Sequence, residues 1–292
     1  MDGLTVVDKP GGMTSHDVVS RVRRLAHTRR VGHGGTLDPM ATGVLVLGVG
    51  RATRLLTYVI GTRKRYLGTI RLGQSTVTDD AEGEVIEFRT ADGVTDEAIR
   101  AGLAAQTGEI DQVPSAVSAI KVNGQRAYKK VRAGEEVALA PRQVTVSRLD
   151  VLAIRHFESV IDVDIDVECS SGTYIRAIAR DLGAALGAGG HLTELCRTAV
   201  DGLTIADALT LEELEDRAPD VVTLPMAEAA RRFLPAREAT DDEAKILSHG
   251  GPLDPTGTDG AVAVFAASGA LLAVVSDRDG RAKPEIVVAP AS

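Results

Sequence analysis

One carboxylate, Asp38, stands in Gly34-Gly35-Thr36-Leu37-Asp38-Pro39-Met40-Ala41-Thr42-Gly43-Val44-Leu45, a stretch built to keep it still. Pro39 fixes its own φ and pushes Asp38 toward an extended conformation, while the glycines at 34, 35 and 43 permit close backbone approach or positive φ. A carboxylate held this way is where pKa and reach can be controlled, and its chemistry would be that of a nucleophile or a base. Asp-Pro after a glycine pair also builds ordinary turns and helix caps, so the loop alone leaves both readings open.

The elements that must position Asp38 are legible around it. Val44-Leu45-Val46-Leu47-Gly48-Val49 is short and continuously apolar, as suits a strand buried on both faces. Upstream, Thr14 or Ser15 caps a predicted helix whose Val18, Val22 and Leu25 form one stripe, and that helix hands the chain to Arg29-Arg30-Val31-Gly32-His33. Lys64 to Leu72 reads as a strand, and Asp162 to Cys169 alternates strictly, predicting one buried and one wet face. Tyr174 to Leu186 carries Ile175, Ile178, Leu182 and Leu186 at helical spacing, entered through Ser170-Ser171-Gly172-Thr173. Thr210-Leu211-Glu212-Glu213 is a capping box opening another helix. From Leu224 onward the chain changes character: a short helix near Asp241 to Leu247, then apolar runs at 261–266, 271–275 and 285–288, predict a small β domain. Strands and helices come in mixed order without regular βαβ alternation, which favours an α+β fold over a doubly wound sheet.

A chain of 292 residues accommodates two unequal domains, and no apolar run reaches membrane-span length. The N-terminus shows no signal-peptide pattern, and Cys169 and Cys196 lack metal-ligand spacing, so a cytoplasmic protein with reduced thiols is expected. The formal net charge of -8 is unevenly spread. Residues 1–65 hold 11 Lys+Arg against 4 Asp+Glu and residues 117–155 hold 8 against 3, whereas residues 201–292 hold 8 against 17. Polyanion binding depends on local basic surface, so the acidic total leaves a nucleic-acid partner open. Any single arginine such as Arg21, Arg23 or Arg24 can equally serve to solvate a helix face.

The Asp38 segment, preceded by Val31-Gly32-His33, closely resembles the catalytic segment of the bacterial TruB-type tRNA pseudouridine synthases, which modify the T-loop uridine at position 55 of tRNA. The likeness continues in order through Gly3 to Ser15, Lys64-Arg65-Tyr66, Thr76 to Gly83, Ser118 to Tyr128 with Pro141-Arg142, Ser171 to Gly183, Gly190-His191-Leu192 and Leu195-x-Arg197. It covers roughly residues 3 to 210 and thins beyond. The fold implied is a large mixed, mostly antiparallel sheet with flanking helices and a central cleft, followed by a small C-terminal PUA-like β domain. The expected division is a catalytic domain at 1–222, with a mobile RNA-binding insertion at about 112–140, and the small domain at 223–292.

The resemblance assigns the catalytic carboxylate to Asp38, a two-point arginine partner to Arg176, and a ring that stacks on the flipped uracil, with a hydroxyl that moves a proton, to Tyr66. His33 matches a histidine that fills the space left by the flipped base, Leu195 an apolar wall of the pocket, and Asp80 a polar loop residue. Tyr174 lies within a matched motif, and Lys64, Lys121, Arg126 and Arg142 are expected to meet RNA phosphates. Arg176 without the resemblance would read as a surface helix arginine, and Tyr66 as core packing.

The activity implied is isomerisation of uridine to pseudouridine in the T-arm of tRNA by a monomer, with no metal, no nucleotide or other cofactor, and no membrane. A glycoside hydrolase would need a second acid paired with Asp38, and none is evident. A phosphate-loop nucleotidase is excluded because Gly34-Gly35-Thr36 lacks the following Gly-Lys-Ser/Thr. The alternative from another class is an RNA-binding or RNA-folding module in which catalysis is incidental.

Overall fold

The computed structural model describes residues 2–61, 63–117, 121–122, 125–126 and 139–288. The apolar run after Asp38 becomes the strand Thr42–Val49, buried along its length from Gly43 onward. It pairs antiparallel with Gly3–Lys9 on one side, Val6 opposite Val46. On the other side it meets Gly190–Val200 in parallel, through only Cys196↔Thr42 and Arg197↔Gly43. That short parallel junction interrupts an otherwise antiparallel sheet, and the Asp38 loop enters the sheet there.

Among the described residues the sheet has ten strands, with the main path Leu224–Pro225, Gly3–Lys9, Thr42–Val49, Gly190–Val200, Lys64–Leu72, Ile161–Cys169, Arg142–His156, Gly108–Gln112. The predicted α+β architecture is the one observed. The helix Ser15–Leu25 is capped by Thr14 and Asp17 in a capping box and buries Val18, Val19 and Val22. The helix Ile175–Ala185 lies hard against the sheet because two glycines meet: a Cβ on Gly183 would sit 2.2 Å from Gly190 N. Its predicted polar entrance is absent in one respect, since its N-cap, Tyr174, makes no side-chain capping bond.

The alternating strand Ile161–Cys169 corrects one expectation. Its acidic face is only partly wet: Asp162 and Asp166 are 7% and 4% exposed, while Asp164 and Glu168 remain half-buried. Arg71 from the neighbouring strand grips both oxygens of Asp162 at 2.7 Å, and Arg65 and Arg148 flank Asp166 at 2.9 and 3.1 Å. Arginines on the two adjoining strands neutralise these two aspartates, so alternation predicted the face but not its partners.

The C-terminal region forms a second sheet in the order Ala236–Glu238, Ala261–Phe265, Leu271–Arg278, Arg281–Val287, with the helix Asp241–Ser248 capped by Thr240. This sheet shares one apolar core with the large one: Leu4, Val6, Val44 and Val46 cluster with Met226, Ala229, Phe265, Val274 and Ile286. Leu224–Pro225 pairs with Gly3 and Leu4, so the large sheet extends past residue 222. No helix among the described residues is long and apolar enough to cross a membrane.

Candidate active site

Asp38 lies on the wall of a cavity of about 260 Å³ shared by Gly35, Tyr66, Tyr174, Arg176, Leu195 and Arg197, with Lys64 also on the wall. Four elements converge on it: the stiffened loop, the strands Lys64–Leu72 and Gly190–Val200, and the start of the helix Ile175–Ala185. The Asp38 side chain is 35% exposed while that of Arg176 is 4% exposed, and Arg176 Nε stands 2.9 Å from Asp38 Oδ2. Burial raises the Asp38 pKa above the ordinary carboxylate value, with the Asp80 charge adding and the Arg176 charge opposing.

The Arg176 guanidinium does not face Asp38 with its whole fork, as the sequence reading expected. Nη1 donates to Thr78 O at 2.7 Å and stands 3.3 Å from Asp80 Oδ2, and Nη2 donates to Val117 O at 3.0 Å. One turn on, Arg180 repeats the arrangement: Nη2 donates to Val113 O at 2.7 Å, and Nη1 stands 3.4 Å from Asp79. The two arginines thus tie the 78–80 loop and the 113–117 segment to the helix that carries them. Asp80 is 2% exposed and also accepts from Glu82 N at 3.0 Å and from the Thr78 hydroxyl, which makes it part of this polar network.

Tyr66 is 7% exposed and stands in register with Val167 on one neighbour and Arg197 on the other. Burial raises its phenol pKa, the Arg197 charge pulling the other way, so the hydroxyl is protonated at neutral pH. Lys64 is 6% exposed, not a surface cation. Its Nζ donates to Ile60 O at 3.0 Å, and burial lowers its pKa to about 8. Tyr174 is held by a reciprocal pair, its N donating to Gln112 Oε1 at 2.8 Å and its carbonyl accepting from Gln112 Nε2 at 3.1 Å. Such an arrangement offers one orienting cation for one carboxylate, an aromatic wall and a cavity open on one side, which suits a flipped base.

These features correspond to known proteins along the whole chain. A sequence model of the TruB family pseudouridylate synthase N-terminal domain matches residues 23–175. Two further models, a tRNA pseudouridylate synthase B C-terminal domain and a tRNA pseudouridine synthase II C-terminal region, match residues 176–234 and 234–289. The tRNA pseudouridine synthase B of Arthrobacter sp. (strain FB24) is 58% identical, covering 100% of this chain and 98% of the relative. That of Thermobifida fusca (strain YX) is 55% identical over 99% of both. The chain belongs to the TruB family of pseudouridylate synthases. The fold is also similar to that of the archaeal box H/ACA sRNP Nop10-Cbf5 complex, with TM-score 0.72 and 25% identity over 99% of this chain and 86% of that one.

Of the residues singled out from the sequence, Asp38, Tyr66, Arg176, Lys64, Tyr174 and Leu195 line one cavity. His33 does not. It sits on the strand Val31–His33 with its ring edge-on to His16, centroids 5.5 Å apart, and its buried Nδ1 has no hydrogen-bond partner among the described residues. Arg142 is exposed, opposite Gln112 in register. Lys121 and Arg126 pair in register on two short antiparallel strands, and their side chains, like Ser118 and Tyr128, lie outside the described residues.

Two buried cations had no assigned role in the sequence reading. Lys9 is fully buried, its ammonium donating to Pro10 O, Met13 O and Pro39 O at 2.9, 2.7 and 3.1 Å, and burial lowers its pKa to about 8. Arg197 is 1% exposed, donates to three backbone carbonyls and also meets the Tyr66 hydroxyl. Both sit in matched motifs, which was their only signal: spacing along the chain does not show that a charged side chain turns inward.

Proposed function

We propose that this chain isomerises the uridine at position 55 in the T-loop of tRNA to pseudouridine, with Asp38 as the reacting carboxylate. The observation that carries the reading is the Arg176–Asp38 ion pair at 2.9 Å on the wall of a cavity that Tyr66 also lines. Breaking the bond between C1′ and N1 and remaking it from C1′ to C5 needs a fixed carboxylate, a surface that keeps the detached base in place, and exclusion of water. Arg176 holds the carboxylate in orientation, while burial keeps its basicity above that of a free aspartate. Tyr66 offers a ring face to the base and a protonated hydroxyl for proton transfer. Leu195 and Tyr174 close the sides.

The T-arm stem-loop is the part of tRNA that docks, over the basic stretches at 1–65 and 117–155, and the chain works as a monomer in the cytoplasm, where tRNA is found. The catalytic domain is taken to include the helix Met226–Phe233, given the shared core beneath it, and the PUA-like unit to follow. Incubation with an unmodified tRNA transcript, followed by mass-spectrometric mapping of pseudouridine, tests the reading. Product at position 55, lost when that uridine is replaced by cytidine, supports it; no product, or product elsewhere, refutes it.

A further inference from the structure

The loop from Gly35 to Pro39 has no regular backbone partner, yet each of its carbonyls is engaged. Leu37 O accepts from Ser15 Oγ at 3.1 Å, Asp38 O from Ala41 N at 3.1 Å, and Pro39 O from Gly12 N at 2.8 Å and Lys9 Nζ at 3.1 Å. The remaining two, Gly35 O and Thr36 O, are both held by Arg197, through Nη2 at 3.1 Å and Nη1 at 3.4 Å. The same side chain reaches past the loop, its Nε donating to Val44 O at 2.7 Å. One guanidinium therefore clips the limb entering the loop to the limb leaving it, with Asp38 between them.

The backbone is shaped to allow this. Gly43 has φ +96°, and a Cβ there would lie 2.3 Å from Arg197 O, so only glycine lets the departing limb pass Arg197 so closely. Gly35 has φ +98°, and a Cβ built on it would stand 3.7 Å from Arg197 Nη1 and 3.6 Å from Lys64 Cε.

We infer that Arg197 is a positioning residue for the isomerisation: by clipping the two limbs of the Asp38 loop together it sets where the carboxylate stands in the cavity. Among the described residues no carboxylate pairs with it, so its role is not that of an ordinary buried ion pair. A guanidinium so deeply buried, held by three carbonyls and beside the Tyr66 hydroxyl, is a costly way to fill space, which an apolar side chain would do better. A planar fork reaching three separate carbonyls is something no other side chain reproduces. Its charge also faces Tyr66, which stands opposite it in register and shares the cavity wall.

This inference rests on the proposed activity, and the experiment separates the two. Full-length parent, Arg197→Lys and Arg197→Gln are compared with unmodified tRNA under single-turnover conditions, alongside tRNA affinity and thermal midpoint. The parent must form pseudouridine; if it does not, the functional reading fails rather than the role of Arg197. In both variants the rate on saturating bound RNA should fall by about 10- to 100-fold, as for a displaced reacting group, with tRNA affinity changed less than about threefold. Arg197→Lys should be the less affected, keeping the charge but not the fork. Should Arg197→Gln fail to fold, Arg197→Lys decides alone. A folded variant turning over bound RNA within about twofold of the parent, or one whose whole defect is in tRNA affinity or melting temperature, overturns the inference.

Discussion

Arg176 reaches Asp38 with one nitrogen and spends the rest of its guanidinium on the backbone of two other segments. Nε is 2.9 Å from the carboxylate, while Nη1 and Nη2 hold Thr78 O and Val117 O. The residue that orients the reacting group is therefore also the one that ties down the 78–80 loop and the first residues of the proposed RNA-binding insertion.

Arg176→Lys should accordingly lose more than one contact. A single ammonium cannot serve three directions, so we expect single-turnover pseudouridine formation to fall by on the order of 100-fold. Affinity for tRNA should fall much less. Arg176→Gln, which also removes the charge, should in addition shift the acid limb of the rate profile upward, because the Arg176 charge is what opposes the rise in Asp38 pKa. An unchanged acid limb in a slowed Arg176→Gln protein would show that Arg176 acts elsewhere than on the carboxylate.

Asp38→Asn should abolish turnover while leaving the fold at least as stable. The sign follows from its pKa: a carboxylate raised by burial is held more readily as the neutral acid in the folded chain than in the unfolded one. Its ionised form therefore costs stability, which falls as pH rises through the raised pKa, and a neutral amide avoids that cost at pH 7. Thermal melts of parent and variant at pH 7 and near pH 4 check this: the difference should narrow at the lower pH. Residual isomerisation above trace in the folded variant would falsify the assignment of Asp38.

Tyr66→Phe separates the ring from its hydroxyl. With the phenol pKa raised by burial, the hydroxyl is present as a proton donor, so Phe should slow product formation strongly at nearly unchanged tRNA affinity. Tyr66→Ala removes a ring that is 7% exposed, so it should also destabilise the chain by about 3 to 5 kcal/mol, as large aromatic truncations do. Denaturant melts and rates measured on the same preparations distinguish the effects. A Phe variant as fast as the parent confines Tyr66 to stacking.

Much of this site was legible in the sequence. Pro39 and the flanking glycines announced a held carboxylate, and the strand from Lys64 to Leu72 falls where its residues place it, because both signals are local. Arg197 and the covered aspartates of Ile161–Cys169 were not legible, since each depends on contacts between residues far apart in the chain, and Lys9 was not legible because its inward turn joins two neighbouring carbonyls to that of Pro39 in the next loop. Arg197 lies 153 residues from Val44, whose carbonyl it holds. Charge normally marks surface, and no periodicity reports that an arginine is turned inward to serve a loop.

Affinity for tRNA should fall steeply as salt rises despite the acidic composition, since the basic surface is local. Arg142 is exposed on the strand opposite Gln112, which holds Tyr174 at the cavity, so Arg142→Glu should weaken binding and lower the log affinity against log salt slope by about one unit. The rate on saturating bound RNA should stay near that of the parent. Filter-binding titrations across a salt series measure both quantities, and an unaltered slope would remove Arg142 from the RNA surface.

Where the chain is cut should decide whether the large sheet survives without its small companion. Ending the protein at residue 223 removes the edge strand Leu224–Pro225 and the helix Met226–Phe233, which buries Met226, Ala229 and Ala230 against the core beneath Gly3–Lys9. Ending it after Leu234 keeps both and exposes only the face that Phe265, Leu271, Val274 and Ile286 had covered. Four such side chains at about 1.5 to 3 kcal/mol each are comparable with the stability of a typical domain, so even the longer fragment should melt well below the parent. We expect the fragment 1–234 to be recovered folded at low temperature, with detectable isomerisation and modestly weaker tRNA binding, and the fragment 1–223 to aggregate. Circular dichroism melts of the two fragments with matched activity assays give the answer. A stable, active 1–223 fragment would mean that the shared core contributes little, and a folded but wholly inactive 1–234 fragment would place part of the RNA surface in the C-terminal sheet.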